Sequence, residues 1–119
     1  MIDDDSAHAG AFRQALADAA GHEARGDLDR AFASLERAHV LGQTHFASHW
    51  HVHSHMLRIG WARRDAREVF GQLLRLALVP IGHLSGRLPI GNTGGANVSA
   101  FRAMPVPPEL QRFLHGRDR

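Results

Sequence analysis

Apolar residues recur three and four positions apart in four stretches of the chain, and most of these stretches are bounded by glycine, proline or a capping aspartate. That is the pattern of amphipathic helices. Phe12, Ala15, Leu16, Ala19 and Ala20 predict a helix over 9–24, closed by Gly26. Asp27 is placed to cap a second helix over 28–41, which carries Leu28, Ala31, Phe32, Leu35 and Ala38 on one face and stops at Gly42. A third helix is expected over 45–62. Asp65-Ala66-Arg67-Glu68 forms a capping box with aspartate in the place of Ser or Thr. It opens a fourth helix over 66–79 bearing Val69, Phe70, Leu73, Leu74, Leu76, Ala77 and Leu78, which Pro80 and Gly82 are expected to end.

The connections are a few residues long, so neighbouring helices should run antiparallel. The expected fold is all-α: four antiparallel helices, as two tetratricopeptide-like hairpins or an up-down bundle, in a single domain over 1–119. Residues 83–108 are rich in Gly, Pro, Asn and Ser, yet carry Leu84, Leu88, Ile90, Val98 and Phe101. They are too apolar for a free linker and predict an ordered strap over the helices, followed by a short terminal turn from Glu109.

Composition then removes whole classes of function. With 119 residues and 44% hydrophobic content the chain can bury a core unaided, and with no cysteine it has no disulfide, thiolate metal site or cysteine nucleophile. The net charge is +2, and all 14 basic residues are arginine with no run longer than Arg63-Arg64, which disfavours nucleic acid as a partner. The start, MIDDDSAHAG, resembles no targeting signal, and the apolar run over 73–81 is broken by Arg75 and Pro80, so a cytoplasmic protein without a membrane segment is expected. No nucleophile elbow or phosphate loop is present. GNTGG could offer backbone N–H groups to an anion, but without a lysine or a strand–turn–helix setting it reads as a structural turn. Arg87 and Asn92 are the candidates for a small-molecule site beside it.

The ten histidines are the outlier, and five of them (His45, His49, His51, His53, His55) fall within eleven residues. On a helical wheel Phe46, Trp50, Val52, Met56, Leu57, Ile59 and Trp61 form one broad apolar arc that also contains His45, His49 and His53. His51 and His55 lie on the opposite face and read as solvated. His49 and His53, spaced i,i+4, project two imidazoles to one side. On the second helix His39 lies among Leu28, Phe32 and Leu35, and Glu36-x-x-His39 is a spacing found in helical carboxylate metal sites. At the helical rise, Glu36 and His39 lie about 9 Å and 5 Å below Gly42, while His49 and His53 lie about 6 Å and 12 Å into the returning helix. The two pairs therefore meet at one level.

Buried imidazoles and a carboxylate are costly unless paired or coordinated. The expected ligands of a transition metal are Glu36, His39, His49 and His53, with His83, His8, His45 and Met56 as further donors that could join them. Such a donor set suits zinc, iron, manganese, nickel or copper. The competing reading is a hydrogen-bonded histidine core, with Glu36 paired to Arg37 or Arg63, in a protein–protein interaction module or homo-oligomer. Residues 24–38 resemble part of a tetratricopeptide repeat, which belongs with that second reading. Whether the protein is an enzyme stays open.

LERAHVLGQ at 35–43, the His49/His53/Met56 stretch, EVFGQLLRL, and GRLPIGNTGGANVSAF at 86–101 together resemble a short bacterial domain-of-unknown-function family. Some of its members are encoded near heavy-metal resistance genes. The resemblance implies a link to metals, but no activity and no functional residues.

Overall fold

The computed structural model of the chain describes residues 4–114; the ends of the expected 1–119 unit, 1–3 and 115–119, lie outside the described residues. Five helices, α1 (Asp4–Ala24), α2 (Leu28–Gly42), α3 (Phe46–Ala62), α4 (Ala66–Ser85) and α5 (Pro108–Leu114), account for the regular structure, with no strand among the described residues. The Asp27 side chain caps α2 by accepting from the Arg30 N–H at 3.2 Å, and Asp65 caps α4 by accepting from the Glu68 N–H at 3.1 Å.

Successive helices pack on one another, α1 on α2, α2 on α3 and α3 on α4, and α5 closes over α1 and α2. The core runs through Ala15 and Ala19 of α1, Ala31, Phe32, Leu35 and Ala38 of α2, Val52, Met56 and Ile59 of α3, and Leu110 of α5. Alanines on facing helices let the backbones approach closely. Each buried Leu, Ile or Met then contributes roughly 1.5–3 kcal/mol by leaving water. No helix among the described residues is long and apolar enough to cross a membrane.

Three features depart from the sequence pattern. First, α4 does not stop at 79 but continues through Pro80 to Ser85, where Gly86 (φ 72°) provides the left-handed cap and donates its N–H to Gly82 O. A proline inside a helix costs about 3 kcal/mol. The extra turn carries His83 to the histidines of α3, as described below. Second, α3 buries His49, Val52, His53, Met56, Ile59 and Gly60, whereas Phe46, Trp50 and Trp61 are 47%, 42% and 74% exposed. Of the broad apolar arc only the part around His49 and His53 is buried, and both tryptophans lie toward solvent. Third, α4 is inverted. Its buried residues are Glu68, Gln72, Arg75 and Val79, at spacings of four, three and four, while Phe70, Leu73, Leu74, Ile81 and Leu84 face outward. A helix that turns a carboxylate, an amide and a guanidinium inward has chemistry, not a greasy seam, on its inner side.

Residues 87–107 have turns but no helix and are fastened by buried amides, among them Gln43 and Asn92. Gln43 donates to Pro89 O at 2.7 Å and accepts from the Gly91 N–H. Asn92 donates to the carbonyls of Ser99 (2.8 Å) and Arg102 (2.7 Å) and accepts from the Gly94 N–H (2.8 Å).

Candidate metal centre

Three imidazoles from two helices converge. His39 lies in α2, while His49 and His53 lie one turn apart in α3; all three are buried. Their Nε2 atoms form a nearly equilateral triangle with edges of 3.1 Å (His39–His49), 3.0 Å (His39–His53) and 3.2 Å (His49–His53). A metal–nitrogen bond of about 2.05 Å would seat an ion about 1 Å out of that plane, with N–metal–N angles of about 98°. The triangle fits a facial tris-histidine centre. Among the described residues no other His, Cys, Asp or Glu joins the group.

The opposite ring nitrogens are all engaged. His39 Nδ1 donates to Asn92 O at 2.6 Å. His53 Nδ1 lies 2.7 Å from Gln72 Oε1. Gln72 spends both amide hydrogens on acceptors, Glu68 Oε2 at 2.8 Å and Gly94 O at 2.9 Å, so its oxygen must accept and His53 Nδ1 must donate. Neutral His39 and His53 therefore carry lone pairs on Nε2 atoms that lie 3.0 Å apart. His49 Nδ1 lies 2.9 Å from His83 Nε2, and either ring of that pair can donate. His49 is thus the adjustable member. With its proton on Nε2 it can bridge the other two lone pairs, and with its proton on Nδ1 it completes a set of three metal ligands. Hydrogen-bonded partners on the far nitrogen are the usual means of orienting a ligating histidine.

Burial keeps the rings neutral. It is the main cause holding His39 well below the ordinary 6.5, with His53 and His49 adding to it. Burial likewise pushes His49 down to about 3, helped by His53 and His83. His53 is pushed down to about 4, with burial outweighing its bond to Gln72. As pH falls, the unfolded chain takes up protons near 6.5 while these folded rings do not. Stability of the metal-free protein is therefore complete above about pH 6.5 and declines below it, by about 1.4 kcal/mol per pH unit for each such histidine. Urea midpoints at pH 7.5, 6 and 5 check this; equal midpoints at 7.5 and 5 would contradict it.

Other sequence candidates lie elsewhere. Glu36 is not in the converging group: its carboxylate is bonded to the Thr93 side chain, and burial, its main influence, raises its pKa. His8 is buried with one ring nitrogen against Leu41 O and the other 3.1 Å from Phe113 O, tying α1 to the ends of α2 and α5. His45 is the exposed N-cap residue of α3, its ring 6.0 Å from that of His8. Met56 is fully buried in the hydrophobic core. His83 touches His49 from outside the triangle. His51 and His55 pair with each other at 2.9 Å away from the cluster.

The sequence does not mark Gln72, and it offers Glu68 only as a capping-box residue, Arg75 only as a break in an apolar run, Gly94 only as part of a turn and Asn92 only as a small-molecule candidate. The available signal was Glu68, Gln72 and Arg75 at helical spacing on one face of an otherwise apolar helix.

Fold and site together define an all-helical protein with a buried three-histidine cluster able to hold a metal ion. The chain belongs to the family described as "Protein of unknown function (DUF3703)", which it matches over residues 6–114. Comparison with curated proteins and with solved structures finds no match.

Proposed function

We propose that this protein binds one transition-metal ion through His39, His49 and His53, with a coordination position left open to a neighbouring cavity. The observation that carries the reading is the convergence of three Nε2 atoms whose rings are held from behind by Asn92, Gln72 and His83. Neutral imidazoles favour zinc, copper, nickel or ferrous iron over calcium or magnesium, and three histidines plus an open position is a common catalytic zinc arrangement. A structural zinc site would need a fourth protein ligand. The open side supports metal-dependent binding or chemistry on a small molecule, within two antiparallel helical hairpins strapped by residues 87–107. Untagged protein reconstituted with zinc and desalted should retain one ion per chain by elemental analysis and gain thermal stability. Retention of none would defeat the proposal.

His83 is expected to tune the centre rather than form it. His83→Ala should weaken metal affinity by about 10–100-fold, as loss of an orienting partner does, without abolishing binding. A competition titration against a chromophoric chelator reads this, and an unchanged affinity would remove His83 from the site.

The interaction-module reading has one observation in its favour. Phe70, Leu74, Ala77, Ile81 and Leu84 alternate at four and three residues along the exposed face of α4, the spacing of a two-helix seam. The apolar surface there, with Leu73, is on the order of 600 Å² per chain, near the lower end of a stable interface. Such a stripe is self-complementary, so a second copy is the occupant proposed. Light scattering should return a dimer that Leu74→Glu/Ile81→Glu converts to monomer; a monomeric parent protein at high concentration would end this reading.

A further inference from the structure

The three histidines line a cavity of about 500 Å³ whose other walls include Leu78, Val79, Leu88 and Phe101. That volume suits a small organic molecule, and the apolar walls suit a hydrocarbon body. Two arginines also line this cavity, the exposed Arg87 and the buried Arg75. The Arg75 side chain is hard to explain as structure alone. The residue is only 7% exposed. Two of its nitrogens are engaged, Nη1 with Gly71 O at 3.0 Å and Nη2 with Val98 O. Its Nε–H is buried with no partner. A buried donor left unmade carries a full desolvation penalty, so such an atom calls for a ligand.

Charge points the same way. The carboxylate of Glu68 acts on Arg75 but is itself occupied by Gln72 and the Ala96 N–H. Glu68 offsets part of the guanidinium's charge, but no carboxylate among the described residues forms an ion pair with it, and its field is felt at His39 and His53. A divalent ion on the triangle would put a second positive charge into the same cavity. Two cations sharing low-dielectric walls repel unless an anion lies between them.

We propose, resting on the metal reading above, that the cavity binds a small apolar carboxylate, one oxygen at the open position of the metal and the other accepting from Arg75 Nε–H. A carboxylate fits better than a phosphate. Two oxygens match one open metal position and one unpartnered N–H, whereas a strongly hydrated dianion loses more on entering between apolar walls, the cavity's second guanidinium, Arg87, being exposed to water. The hydrocarbon part lies against Val79, Leu88 and Phe101.

The test uses full-length protein loaded with cobalt(II), whose visible absorption reports its coordination. Benzoate or octanoate should shift that spectrum saturably, and the isosteric neutral benzamide and inorganic phosphate should not. Arg75→Met should keep cobalt affinity within about threefold and weaken benzoate by about tenfold or more, the worth of a charge-assisted hydrogen bond. If Arg75→Met does not fold, the benzoate–benzamide comparison on the unaltered protein decides alone. Cobalt bound with no response to either carboxylate, or an equal response to benzamide, overturns the carboxylate proposal while leaving the metal site standing. Failure of the unaltered protein to bind cobalt at all would instead fell the metal reading, and this inference with it.

Discussion

Replacing His39 with alanine is expected to abolish stoichiometric metal binding, lowering affinity on the order of a thousandfold. A structural-type zinc site is worth about 10–16 kcal/mol in all, so each of a few ligands carries several kcal/mol, and each 1.4 kcal/mol is a decade. His39 is the member to remove because it alone crosses from α2, and its Nδ1 is bonded to a carbonyl that leaves it one neutral tautomer. His51→Ala, which alters a ring outside the cluster, should leave affinity unchanged. Isothermal titration with zinc on both variants separates the two readings. If the imidazoles form only a hydrogen-bonded core, His39→Ala will lower the unfolding midpoint and leave zinc affinity where it was.

The second large effect is expected from a residue with no side chain. Gly94 has φ +87°, where an L-residue is strained, and a Cβ there would lie 2.6 Å from His39 Cδ2 and 2.9 Å from its Nε2. The ring cannot retreat freely, being fixed by Asn92 O on one side and by His49 and His53 on the other. Gly94→Ala should therefore lose about 1–3 kcal/mol from backbone strain and, beyond that, at least about tenfold in metal affinity. Gly86→Ala is the matched control. Its φ is also positive, at +72°, but nothing lies within 4 Å of its added Cβ, so it tests strain without the contact. Similar metal affinities for the two variants would show that Gly94 does not position His39.

These two residues also mark where the sequence was legible. His49 and His53 one turn apart on an apolar face, and His39 at a matching height before a short turn, predict a meeting of imidazoles from helical geometry alone. Glu36 follows the same arithmetic of height but not of direction. Three residues leave it about 60° around α2 from His39, and it reaches Thr93 instead. The partners behind the rings were beyond such reasoning because amides and glycines are ordinary in turns and helices. Only tertiary contact gives Asn92, Gln72 and Gly94 their work. The inversion of α4 had the same cause. Its apolar residues outnumber the polar ones, so periodicity favours an inward apolar face, yet the buried stripe is Glu68, Gln72, Arg75 and Val79. Pro80 departs from expectation for a local reason: the rule that it ends a helix is a statement about cost, and α4 continues past it to Ser85.

The loop over 87–107 presses Asn92 and Gly94 onto a histidine more than fifty positions earlier in the chain. An ion held by that histidine would act as a clasp between the first and last thirds of the molecule, so amide hydrogens in the loop should exchange with deuterium more slowly when it is present. Starvation for the ion would then be read out as loosening of one surface segment, the place where a protease first gains entry, and the lifetime of the polypeptide would follow its supply of metal.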